Sequence, residues 1–312
     1  MTDIIKTERF NLIHSGDDLI IFAYKDELQD AELNLNKIAA HTENTWERNR
    51  SQAETNKNTL QGKIVEELFI DLIHYENSKG THSRVLSYIT YDAIRQDSFH
   101  KHAPFDGLLF EQGNPQIDIA IARINQSIAA NQYGYLDDAT LDFCRKNKIY
   151  TFEIKSSKIP DRVYASSGHD PHKKSFQMNV ISRLRQLDLF KYPKFNRKNG
   201  DIIHDAESYL NWVRENISSM RAKSDDEIIA SEINSSLDIY TRVFIDDKLV
   251  SKTGRELFIG YLLGYVLGYE FYNNLNIMNF NSNKSQKAIY TTFPISQSQR
   301  FGDLFDDPRL WG

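Results

Sequence analysis

The stretch Ile149-Tyr-Thr-Phe-Glu-Ile-Lys155 constrains this chain more than any other. β-Branched and aromatic residues dominate it and neither Gly nor Pro interrupts it, so it reads as a strand. Side chains of a strand alternate between two faces. Tyr150, Phe152 and Ile154 therefore share one face, and Thr151, Glu153 and Lys155 share the other. The apolar face seats the strand on a core. The other face carries a carboxylate and an ammonium two positions apart and pointing the same way. An unpaired buried charge is costly, so such a pair at a strand end calls for a partner, a metal or a substrate.

The rest of the chain reads as helix and strand in mixed order. Leu19 to Tyr24 is an apolar, aromatic strand, and about Asp30 to Asn58 is a polar arm with a thin apolar stripe. Leu60, Ile64, Val65, Leu68, Phe69, Leu72 and Ile73 recur at helical spacing, and Gly80 offers a left-handed cap. Phe105 to Phe110 reads as a strand between Pro104 and a Gly113-Asn-Pro115 turn. Ile117 to Ala130 is amphipathic, and Ala139 to Lys146 is a short helix. Asp238 to Ile245 and Ala288 to Phe293 read as strands. Glu256 to Tyr272 reads as a buried helix, with Gly260, Gly264 and Gly268 on one face for close packing or a dimer contact. The class is α/β (α+β).

A second carboxylate stands at Asp106, with Gly107 leaving room beside it. If strands 105–110 and 149–155 are neighbours, Asp106 and Glu153 converge. Two carboxylates and a backbone carbonyl make a hard-oxygen site suited to Mg²⁺. Such an ion polarises a phosphate and acidifies a bound water, and Lys155 orients that water or balances charge in the transition state. Asp118 is the competing first acid.

This constellation resembles the PD-(D/E)xK nuclease superfamily, which includes most type II restriction endonucleases. Asp106 matches the first acid and Glu153-Ile-Lys155 the paired motif, and Gly62-Lys-Ile-Val-Glu66 matches a helical Gly-x-x-x-Glu pattern, followed by Glu67. Phe105 separates Pro104 from Asp106, and 47 positions separate Asp106 from Glu153, so an insertion around 117–130 is expected. The resemblance implies a restriction-endonuclease-like core: a central mixed β-sheet flanked by helices, spanning 59–312, with 1–58 as an N-terminal strand and helical arm. It implies catalytic Asp106, Glu153, Lys155 and Glu66, with Mg²⁺ on Asp106 and Glu153. It further implies sequence-specific cleavage of double-stranded DNA to 5′-phosphate and 3′-hydroxyl ends. A palindromic target favours a homodimer, and a restriction role places a cognate DNA methyltransferase nearby. The rival readings are a defence or repair nuclease on modified, branched or phage DNA, and a non-catalytic DNA-binding protein.

Acid-x-Lys by itself is weak: 43 acids and 21 lysines in 312 residues yield about three by chance. Asp246-Asp-Lys248 is another, read as a charged turn. Charge distribution adds a second signal. Segment 155–198 holds eleven Lys and Arg against three Asp, a balance of +8, while the whole chain carries −5, leaving −13 elsewhere. Such a segment suits phosphates, and Lys158, Arg162, Lys173, Lys174, Arg183 and Arg185 are its DNA-binding candidates. Tyr164, Phe176, Tyr192 and Phe195 interleave with them. His169-Asp-Pro-His172 reads as a turn, and His100 and His102 as surface. No phosphate-cradling Gly-rich loop or nucleophile elbow is present. The lone Cys144 fits a reducing cytoplasm. The first residues lack a signal-peptide core, and no apolar run is long enough to span a bilayer, so a cytoplasmic location is expected.

Overall fold

A strand needs a hydrogen-bonding neighbour on each side unless it lies at an edge, and Ile149–Lys155 has one on each side, an antiparallel strand along its first half and a parallel one along its second. The computed structural model describes residues 4–6, 11–15, 18–24, 52–131, 134–168, 173–195, 203, 205–250, 256–281 and 287–312. Strand β6 (Ile149–Lys158) lies between β5 (Gly107–Glu111), antiparallel, and β8 (Ile239–Val250), parallel. β8 pairs with β9 (Glu256–Leu267), and β4 (Leu86–Thr90) pairs with β5. These strands form a mixed sheet in the order β9-β8-β6-β5-β4. The N-terminal strands β1 (Ile4–Lys6), β2 (Asn11–Ser15) and β3 (Asp18–Tyr24) continue the same sheet through an antiparallel β3–β9 pair. A second, antiparallel sheet has the order β10-β11-β7, from β7 (Asp188–Lys191), β10 (Asn276–Asn281) and β11 (Lys287–Pro294).

Helices cover both faces of the large sheet, as expected for the class. On one face, Tyr150, Phe152, Ile154, Ile239 and Val243 pack against helix α1 (Gln52–Ser78) and against Phe301, Leu304, Phe305 and Trp311 near the C-terminus. Trp311 lies on the short helix α9 (Pro308–Trp311). Helix α2 (Tyr91–Ile94) follows β4 directly. On the opposite face, Leu108, Phe110 and Ile149 pack against α3 (Ile117–Ala130) and the adjoining α4 (Asp138–Lys146). The β8–β9 end of that face, with Tyr240, Phe244 and Tyr261, meets α5 (Asp161–Ser166), α6 (Lys174–Leu184) and the small sheet. Helices α7 (Ala206–Asn216) and α8 (Asp225–Asn234) form a further cluster around Tyr209, Val213, Ile228 and Ile289.

Local chemistry sets the element ends. Asp137 caps α4 by accepting from Thr140 N–H at 2.7 Å, and Ser224 with Glu227 forms a capping box at the start of α8. After α1, Gly80 takes φ +61°, the left-handed conformation that stops a helix. The helices expected between Asp106 and Glu153 are present as α3 and α4. Of the polar arm expected over 30–58, residues up to 51 lie outside the described residues, and 52–58 begin α1.

Two expectations are overturned. Glu256 to Tyr272 is not a buried helix but the strand β9 followed by a single 3-10 turn, Gly268–Tyr272. β9 is flanked by β3 and β8 and buried on both faces, so its apolar run lacks the period-two pattern of a half-exposed strand. Gly264 marks a backbone contact: at φ +139° it faces the carbonyl of Gln299, with which Tyr265 forms a bridge. Asp246-Asp-Lys248 is not a turn either; β8 runs through it, and Asp246 is buried. Among the described residues, no helix is long and apolar enough to cross a membrane.

Candidate active site

β5 and β6 part company. Their ladder ends at Gly107 opposite Phe152, while β6 continues to Lys158 on β8 alone. A fork of this kind leaves backbone donors of β6 in search of acceptors. Asp106 fills the gap. Its N–H donates to Phe152 O at 2.9 Å, its carbonyl accepts from Tyr91 N–H at 2.8 Å, and its Oδ2 accepts from Ile154 N–H at 2.5 Å. Asp106 is thereby fixed beside the backbone that joins Glu153 to Lys155. Glu153 and Lys155 emerge on the sheet face expected from alternation, and their side chains form an ion pair.

Glu66 approaches from α1. It is 8% exposed and accepts from Lys63 Nζ, which also pairs with Asp92 at 2.6 Å. Arg95 holds Asp92 and Asp97 and donates to Lys101 O, pinning the loop that leads to Asp106. A continuous line of alternating charge thus runs from α1 to the segment carrying the first acid.

Burial and neighbouring charge act on these groups together. Burial pushes the Glu66 carboxyl up to about 7 against the pull of Lys63. Burial, then the charges of Glu153 and Glu66, holds Asp106 well above the usual carboxylate range, against the opposing effects of Lys155 and Ile154 N–H. Burial works to lower Lys155, but Glu153 and Asp106 outweigh it and leave the ammonium raised. Burial and the fields of Asp106, Glu66 and Glu153 also raise the Tyr88 phenol well above its ordinary value. Tyr88 comes from β4, and its hydroxyl is buried with no hydrogen-bond partner among the described residues. Gly107 makes this possible: a Cβ there would collide with the Tyr88 ring and lie 2.7 Å from Ile89 O.

Among the described residues, no three His, Cys, Asp or Glu side chains form a ready metal cage. Mg²⁺ does not require one; it is bound through one or two carboxylates, with water and substrate phosphates completing its shell. Asp106 and Glu153 fit that description as hard-oxygen donors. The charges of Glu153 and Glu66 bearing on Asp106 make a place where a bound cation would relieve repulsion.

The basic candidates lie at the end of β6 and on the helices that follow it, which pack against the β8–β9 part of the sheet. Lys158, at the end of β6, is exposed, as are Arg162 on α5, Lys173 and Lys174 at the start of α6, and Arg183; Arg185 is half-buried. A cleft of about 430 Å³ lies beside them, lined by Lys158, Asp161, Tyr164 and Asp246. Not every base of the segment faces outward. Lys191 is buried, donating to Ser236 Oγ and Tyr272 OH at 2.6 Å, and desolvation lowers its ammonium to about 7. Asp118 is exposed in the first turn of α3, and His100 and His102 are exposed. His169–His172, Arg197 and Lys198 lie outside the described residues.

Sequence reasoning missed Lys63, Asp92 and Tyr88. Lys63 lies three positions before Glu66, a helical pairing distance that the sequence does display. Leu86–Thr90 is rich in β-formers, a short strand signal that was available for Tyr88. Asp92 carries no local signal at all. No family model, no curated protein and no solved structure matches this chain.

Proposed function

We propose that the chain is a magnesium-dependent endonuclease that hydrolyses phosphodiester bonds in double-stranded DNA at specific sequences, as a type II restriction enzyme does. The observation that carries this reading is Asp106 clamped on Ile154 N–H beside the Glu153–Lys155 pair. Asp106 and Glu153 would hold the ion, which when bound supplies Lewis-acid polarisation of the phosphate and a more acidic water. The Lys155 ammonium, raised and still charged at neutral pH, orients the attacking water and offsets charge gathering on the phosphate oxygens. Glu66, held by Lys63, adds a third carboxylate at the rim. The exposed bases of β6, α5 and α6 contact flanking phosphates. A palindromic target would be read by a two-fold dimer, with a methyltransferase protecting the host's own sites.

The test is Mg²⁺-dependent cleavage of a panel of plasmid and phage DNA. Discrete fragments are expected from the unaltered chain. Lys155→Ala, Glu153→Gln and Asp106→Asn are expected to lose at least about a hundredfold in rate, with circular dichroism unchanged. Asp106→Asn keeps an acceptor for Ile154 N–H, whereas Asp106→Ala orphans that donor and should lose stability as well. Undiminished cleavage by Lys155→Ala would sink the assignment, and so would a complete lack of cleavage of any DNA by the unaltered chain.

A further inference from the structure

Lys155 has a neighbour in the sheet that the acid-x-Lys pattern does not include. In the parallel β6–β8 ladder Lys155 is opposite Arg242, so both side chains project from the face that bears Glu153, from strands about 4.8 Å apart. Arg242 is half-buried and rigidly mounted. Its guanidinium is 4.5 Å from the Phe190 ring centre and 4.4 Å from that of Phe244. Nε donates to Ser157 Oγ at 2.9 Å and Nη1 to Asp188 O at 2.7 Å. Both partners are neutral. Among the described residues no carboxylate comes within ion-pair distance, and the remaining N–H groups of the fork are uncommitted.

We propose that Arg242 is a phosphate-binding residue of this site, gripping a backbone phosphate next to the one at Lys155; the inference rests on the nuclease reading above. A planar guanidinium with its orientation already fixed matches two phosphate oxygens at once. A cation desolvated without a counter-charge in contact is costly to the fold, and an incoming anion relieves that cost. The same environment lowers the guanidinium to about 10, through burial that Asp188 offsets only in part. The three surrounding elements agree: β6 supplies Ser157, β7 supplies Phe190 and the Asp188 carbonyl, and β8 supplies Arg242 and Phe244.

The experiment compares the full chain with Arg242→Gln and Arg242→Lys, each checked by circular dichroism. Two probes are used without Mg²⁺: inorganic phosphate, read as a rise in Tm, and a labelled DNA duplex, read by fluorescence anisotropy across a salt series. For Arg242→Gln we expect the phosphate-induced rise to vanish and duplex binding to weaken about tenfold. The slope of log affinity against log salt should fall by about one. Arg242→Lys should recover the charge-dependent slope but only part of the affinity. A Tm response to phosphate and a salt slope that match the unaltered chain would overturn the inference, while cleavage by the unaltered chain would leave the nuclease reading standing. Conversely, an Arg242-dependent phosphate response in a chain that neither binds nor cuts DNA supports the anion site and removes the nuclease reading.

Discussion

Glu66 is the residue whose protonation reports most directly on the site. Its folded value of about 7 lies above the ordinary 4.5. The folded state therefore holds that proton more tightly than the unfolded chain does. The resulting stabilisation is complete below pH 4.5 and is lost as pH rises through 7. Without a divalent cation, stability should decline across this window, by on the order of 3 kcal/mol at most from this group. Asp106, raised by burial and by Glu153 and Glu66, acts in the same direction. Glu66→Gln should flatten part of the decline and be the more stable protein at pH 8. Urea denaturation at pH 5 and pH 8 measures both. A variant whose stability falls with pH as steeply as the unaltered chain would show that Glu66 titrates normally.

At the scale of elements, the contrast between β6 and β9 explains what the sequence discloses. β6 is apolar on one face and polar on the other, because one face meets α1 and the other forms the site rim; alternation revealed it, and with it Glu153 and Lys155. β9 is buried on both faces between β3 and β8, so alternation vanishes. Its glycines, spaced four apart, imitate a helix face. Burial and pairing decided the matter, and neither is local. Asp106 was legible from Phe105-Asp-Gly107, but its bond to Ile154 N–H depends on where β5 leaves β6, a tertiary fact. Asp92 and Arg242 were illegible for the same reason. β9 also supplies a prediction: Gly264→Ala places a Cβ against Gln299 O at a strained φ. We expect a loss of about 2–4 kcal/mol, read as a lower Tm, whereas an unchanged Tm would mean the Gln299 segment yields freely.

At the scale of the whole molecule, the two faces of the large sheet have different tasks. The face with Glu153, Lys155 and Arg242 looks toward the small sheet and the basic helices. The other is a packed wall in which Trp311, 1% exposed, meets Tyr150 edge-on and donates from Nε1 to Leu304 O at 2.8 Å. Trp311→Ala should cost about 3–5 kcal/mol, seen as a lower urea midpoint. It should also slow any cleavage without touching a site residue, by loosening β6 from behind; full stability in this variant would dismiss the wall as a support for β6.

That wall has a consequence for timing. Tyr150 donates its hydroxyl to Leu310 O, a partner 160 positions later in the chain. A ribosome adding about 5–20 residues per second needs on the order of 10–30 s to make that stretch. For most of that interval Glu153 and Lys155 exist without the backing that holds β6 in place. β6 is therefore backed on this face only once residues some 160 positions further along the chain are available to pack against it.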